Sequence, residues 1–130
     1  HADWKHAYGY RVQTPDGVIV MSGDTRPSPA IAQQCHECDV LIHEVYSDSG
    51  FVNVPAPRKI YHAHAHTSAT QLGDIATQAK PKLLILNHQL FFGASDERLL
   101  EEVRSHFSGR VVSAKDLDTF TLPPSAERLH

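Results

Sequence analysis

Apolar positions in this chain fall into short runs that read as strands, separated by stretches where they recur every three or four residues and read as helices. Tyr8 to Thr14 alternates in strand fashion, Pro15-Asp16-Gly17 makes a turn, and Val18 to Ser22 resumes as an apolar strand, giving a hairpin. The second strand runs into Gly23-Asp24-Thr25-Arg26-Pro27-Ser28. Ser28 or Pro29 then starts a helix through Gln34 or Cys35, with Ile31 facing inward. Val40-Leu41-Ile42 is a short buried-type strand ending at His43-Glu44. Ser47 to Arg58, rich in Ser, Gly and Pro, reads as the longest loop, and Ile60 to His66 as a short extended segment.

Thr67 or Ser68 caps a helix with Leu72, Ile75, Ala76 and Ala79 on one face, and Pro81 stops it. Leu83-Leu84-Ile85-Leu86 is a continuous apolar strand, buried on both faces and ending on Asn87-His88. Asp96 caps a further helix carrying Leu99, Leu100, Val103 and Phe107. Val111-Val112 and Thr119 to Leu122 read as final strands, and residues 123–130 as a loose tail. Strands alternating with helices mean α/β layers. Asp24, Glu44 and His88 each stand just beyond the C-terminal end of an apolar strand, the edge on which such sheets build sites.

Composition narrows the function classes. At 130 residues the chain can bury one modest core, and its 41% hydrophobic and 21% charged residues are ordinary for a globular domain. A net charge of -3 with no basic run gives no electrostatic footprint for nucleic acid. No apolar stretch approaches the ~20 residues that span a bilayer. The sequence opens on His1 without Met and enters strand-like sequence almost at once, so it reads as a fragment whose compartment is unknown.

Ten histidines are the compositional anomaly, since imidazole is the commonest metal ligand and the usual acid-base group near neutral pH. For His6, His36, His106 and His130 the plainer reading, scattered surface and core residues, is preferred. Asp24 alone could merely cap the following helix, and a lone His88 could be a core residue. At matching strand ends, the two can converge on one point, as metal ligands must. In an extended His62-Ala63-His64-Ala65-His66 the three imidazoles share a face, with His66 best placed to enter a site. Cys35-His36-Glu37-Cys38 closes a helix instead of opening one and lacks a second pair, so it reads as incidental.

Taken in order, Ser22-Gly23-Asp24-Thr25-Arg26-Pro27-Ser28, Leu41-Ile42-His43-Glu44, His66-Thr67-Ser68-Ala69 and Leu86-Asn87-His88 resemble the metallo-β-lactamase-fold hydrolases, in their ribonuclease Z and arylsulfatase-like branch. The resemblance implies the C-terminal half of an αββα sandwich over residues 1–122, one mixed sheet flanked by helices. It implies two divalent ions, zinc first and Mn2+ or Fe as alternatives. Asp24 matches the bridging aspartate, His88 the last histidine on the second metal, and His1 a histidine of the first metal, with His6 competing for that place. Glu44 and His66 match a pair beside the metals in which the histidine assists the leaving group and the glutamate orients it. Two ions about 3.5–4 Å apart can hold a hydroxide and polarise an ester oxygen, while an imidazole donates the proton.

Two departures qualify this. The family's His-x-His-x-Asp-His signature is absent, and His62 to Thr67 imitates only its first half at the wrong place. The chain alone is therefore expected to bind metal poorly and to be inactive without a missing N-terminal half. Ribonuclease Z proteins that grip tRNA carry a long arm where this chain has only Val12 to Met21. That favours a small phosphodiester or sulfate ester over nucleic acid, with Phe51 and Leu90-Phe91-Phe92 as pocket walls. The rivals are a lactonase or β-lactam hydrolase, and a non-catalytic half that self-associates as a homo-oligomer through its exposed sheet face and edge.

Overall fold

A computed structural model describes residues 1–123; the expected tail, apart from Pro123, lies outside the described residues. Five strands form one mixed sheet in chain order: β1 (Tyr10–Thr14), β2 (Gly17–Met21), β3 (Val40–Tyr46), β4 (Leu83–Leu90) and β5 (Val111–Ser113). β1 and β2 are antiparallel across the Pro15-Asp16 turn, and every later neighbour is parallel. The parallel crossovers run through helices α1 (Pro29–Cys35), α4 (Ala69–Ala79) and α5 (Asp96–Arg104). These helices bury Ile31, Leu72, Ala76, Leu99 and Val103 against Leu41, Val45, Leu84 and Leu86. A smaller cluster on the other face joins Val40, Leu83 and Ile85, with Ile19, Ile42, Val112 and Leu122 packed against it. The mixed sheet with flanking helices is the architecture the sequence implied. No helix among the described residues is long and apolar enough to cross a membrane.

Several local expectations are corrected. The loop expected over Ser47 to Arg58 holds a short helix, α2 (Asp48–Phe51), and the start of another, α3 (Ala56–Ala65). The extended segment expected over Ile60 to His66 is the rest of α3. Pro57 fits a first turn, three alanines favour helix, and burying Ala65 fixes the orientation. His66 alone is extended, as the C-cap, so it departs from the direction of His62 and His64.

β3 continues past Glu44 because Val45 is buried and pairs again with β4. Glu44 therefore lies within a strand, not beyond one. β4 likewise continues to Leu90, through a one-residue register shift at His88, which takes the left-handed φ of 42°. Ser95, not Asp96, caps α5, its side chain accepting from the Arg98 N–H. Thr119 to Leu122 pairs with nothing among the described residues; a turn closed between Lys115 and Asp118 precedes it, and Leu122 contributes packing alone. Cys35 and Cys38 are joined as a disulfide, so the pair expected to be incidental staples the end of α1 to the approach of β3.

Candidate metal and acid-base site

The site lies where β2, β3 and β4 reach their C-terminal side. After Met21 the chain leaves the sheet: the Ser22 N–H donates to the Ile42 carbonyl, and Gly23 turns with φ 61°. A Cβ at Gly23 would stand 2.7 Å from the Tyr8 carbonyl oxygen, so glycine is required for the turn that presents Asp24. His88 arrives from β4 at the register shift, with its Nε2 3.5 Å from Asp24 Oδ2. Both side chains are about two-fifths exposed, so they face an open site.

Glu44, by contrast, is 1% exposed. Its Oε1 accepts from the Thr25 N–H at 2.9 Å and pairs with His66 Nδ1 at 3.0 Å. Its Oε2 accepts from the Thr67 N–H at 3.3 Å. Thr67 Oγ1 closes the ring of contacts by donating to the Thr25 carbonyl. The carboxylate thus ties the Asp24 loop to the α3–α4 junction and fixes one nitrogen of His66, turning the other outward. Burial pushes the Glu44 carboxyl up to about 8, against the pull of the Thr25 and Thr67 N–H groups. Burial lowers the His66 pKa, with the Asp24 charge opposing it and His88 and His62 adding to it.

His1 Nδ1 donates to the Ala65 carbonyl at 2.8 Å, which leaves Nε2 as its ligand atom. One ligand atom each from His1, Asp24 and His66 lie within 4.8 Å of one another. Imidazole nitrogens and a carboxylate oxygen converging in this way could hold a metal ion. The five residues singled out in the sequence are therefore brought together: the rings of His1 and His66 are 5.0 Å apart and those of His66 and His88 5.5 Å apart. The three-ligand group contains His66 where the sequence pointed to His88.

His6 instead stacks on Tyr8. His64 is exposed, and His62 stands between His66 and Phe92, with ring separations of 5.7 and 5.0 Å. Phe51 and Phe92 pack on Tyr46. The cleft of about 260 Å³ bordering His1 and Asp24 is walled by Trp4, His6 and Tyr8. Sequence reasoning missed Trp4, the Thr25 and Thr67 donors, and His43. Only Trp4 carried a signal, as the one tryptophan beside a candidate ligand.

No family model matches the chain. Among curated proteins, ribonuclease Z of Haloarcula marismortui is 33% identical over 103 residues, covering 78% of this chain and 31% of the relative. Ribonuclease Z of Myxococcus xanthus is 32% identical over 111 residues, covering 84% of this chain and 34% of that protein. Among solved structures, the metallo-β-lactamase fold protein YhfI of Bacillus subtilis superposes with a TM-score of 0.67 at 24% identity, over 83% of this chain and 41% of that one. The short form of human tRNase Z does so with a TM-score of 0.59 at 21% identity, over 89% of this chain and 38% of that one. The chain spans about a third of the length of the curated relatives it matches.

Proposed function

This chain carries a metallo-β-lactamase, ribonuclease-Z-like fold, and on that premise we propose that it is one part of a dinuclear metal-dependent hydrolase acting on a phosphodiester or sulfate ester. The observation that carries the reading is the convergence of His1, Asp24, His66 and His88 at one sheet edge, with Glu44 buried behind them. Asp24, His88 and His1 would hold the ions, with the remaining ligands supplied from outside this stretch. Ions of the zinc type, with Mn2+ or Fe as alternatives, supply Lewis acidity toward an ester oxygen and a water made acidic near neutral pH. Glu44, kept protonated by burial, would donate to His66 Nδ1 and leave the ring proton on Nε2, from which His66 would give it to the departing oxygen while Nδ1 takes the Glu44 proton. The tight Pro15-Asp16 turn between β1 and β2 supports a small ester over RNA as substrate.

The test uses the full-length protein with bis(p-nitrophenyl) phosphate and p-nitrophenyl sulfate as probes. Asp24→Ala should abolish turnover and lower metal content; a fully active variant would sink the assignment. A second reading, in which His66 is itself a ligand, is favoured by its place in the three-residue group. His66→Ala separates the two readings: an acid loses turnover with metal retained, and a ligand loses both. For the 130-residue chain alone, titration calorimetry should give weak zinc binding. Tight uptake of two ions would overturn the view that its ligand set is incomplete.

A further inference from the structure

We propose that His43, which has no part in the chemistry above, is the positioning residue that holds Glu44 where β2 parts from β3. The ladder between β2 and β3 ends at the pair Met21 and Ile42, because the chain then turns away to present Asp24. The Glu44 peptide lies past that last pair, and two side chains stand in for the lost ladder. Ser22 Oγ accepts from the Glu44 N–H at 3.2 Å, and His43 Nδ1 donates to the Glu44 carbonyl at 2.7 Å.

A carbonyl oxygen only accepts, so the proton of His43 is on Nδ1 and Nε2 carries a bare lone pair. Among the described residues that nitrogen has no hydrogen-bond partner, although His43 is 0% exposed. An orphaned buried acceptor is destabilising, and an apolar side chain between Leu41 and Val45 would avoid it. As packing, then, histidine is a poor choice here; its contribution is the Nδ1–H.

The consequence appears at the neighbouring side chain. With its N–H and carbonyl both held, Glu44 has a fixed backbone from which one carboxylate reaches the Thr25 N–H, the Thr67 N–H and His66 Nδ1 together. The functional meaning of this rests on the proposed role of Glu44 and His66, but the positioning can be tested without turnover.

The experiment is amide hydrogen exchange and ring 15N NMR on the 130-residue chain, comparing wild type, His43→Leu and His43→Asn. Asparagine places an amide donor the same number of bonds from Cα as Nδ1. In His43→Leu the Thr25 and Thr67 N–H groups should exchange roughly five- to tenfold faster, the worth of one hydrogen bond. The His66 Nδ1 resonance should move, while the Leu72 and Leu84 amides, bonded to Ser68 and Arg110 carbonyls, keep their rates. His43→Asn should return all of these toward wild type. Unchanged Thr25 and Thr67 exchange in His43→Leu would overturn the proposal. So would uniformly faster exchange that His43→Asn does not repair, the behaviour of a mere core residue. Failure of the role proposed for Glu44 and His66 would show separately, as full turnover in His66→Ala of the full-length protein.

Discussion

Glu44 and Glu102 are both buried carboxylates, 1% and 5% exposed, and their surroundings drive them in opposite directions. Glu102, on α5, accepts from Ser47 Oγ and from the Asp48 and Ser49 N–H groups, with Arg98 Nε 3.4 Å away. Burial alone would raise its pKa, but the hydrogen bonds from Ser49, Ser47 and Asp48 outweigh it and hold the group below its ordinary value. Asp48 extends the strut by accepting from the Thr70 N–H and Oγ1, so α5, α2 and α4 are tied through two carboxylates. Glu44 has two backbone donors, and its third partner is an imidazole that burial also keeps from charging. No arginine or lysine side chain is paired with it among the described contacts. Deeper burial with fewer donors therefore favours the protonated form at Glu44, while the donors of Ser47, Asp48 and Ser49 favour the anion at Glu102.

The largest effect that would sharpen this contrast is kinetic. Glu44→Gln in the full-length protein should lower turnover on the order of a hundredfold, the usual worth of a positioned acid-base group. If turnover survives, Glu44 is as structural as Glu102 and the distinction collapses. Glu102→Ala should act on stability instead. It strands three donors, and urea unfolding should show a loss of about 2–4 kcal/mol with zinc affinity unchanged. An unmoved midpoint would mean those donors are satisfied by water.

Acidity gives the next test, on metal-free chain followed by unfolding at a series of pH values. The raised pKa of Glu44 gives a contribution complete below 4.5 and lost as pH rises through about 8. The lowered pKa of Glu102 gives the reverse, present above its ordinary value and lost as pH falls below it. His43, pushed down to about 4 by burial, adds stability that is complete above 6.5 and declines as pH falls from there toward 4. Glu44→Gln should flatten the alkaline limb and leave the acid limb in place; loss of the acid limb instead would reverse the assignment. The smallest effect is expected from Arg98→Ala. Arg98 is half exposed, so its ion pair with Glu102 should be worth no more than about 1 kcal/mol by denaturation. A larger loss would make the cation, and not the hydrogen bonds, the main difference between the two glutamates.

The strands and the helices α1, α4 and α5 were legible because their apolar residues repeat at the period of the element they form. Asp24 and His88 were legible for a related reason, as polar residues interrupting such runs. α3 was not, since alternating histidine and alanine imitates the period of a strand, and only the burial of Ala65 and the break at His66 reveal the helix. The continuation of β3 was hidden because Val45 and Tyr46, both buried and following two polar residues, give no periodic signal. Ser47 and Glu102 are separated by 55 positions, and no local pattern could join them. The role of His43 depends on where a neighbouring strand ends, which is a property of the sheet and not of its own segment.

The register shift at His88 has one more consequence. Side chains along a strand alternate, so each residue added or removed inverts the phase of all that follow. With His88 as the extra residue, Gln89 and Leu90 rejoin β3 opposite Val45 and Tyr46. In that phase the Gln89 amide reaches the carbonyls of Leu86 and Ala114, and the Leu90 carbonyl receives the Ser47 N–H. Removing the imidazole and removing the residue are therefore different experiments. His88→Ala would remove the proposed ligand and leave the strand in step, whereas deleting position 88 would re-phase its end, release Gln89 from the segment after β5, and unhook Ser47 and the α2 strut it begins.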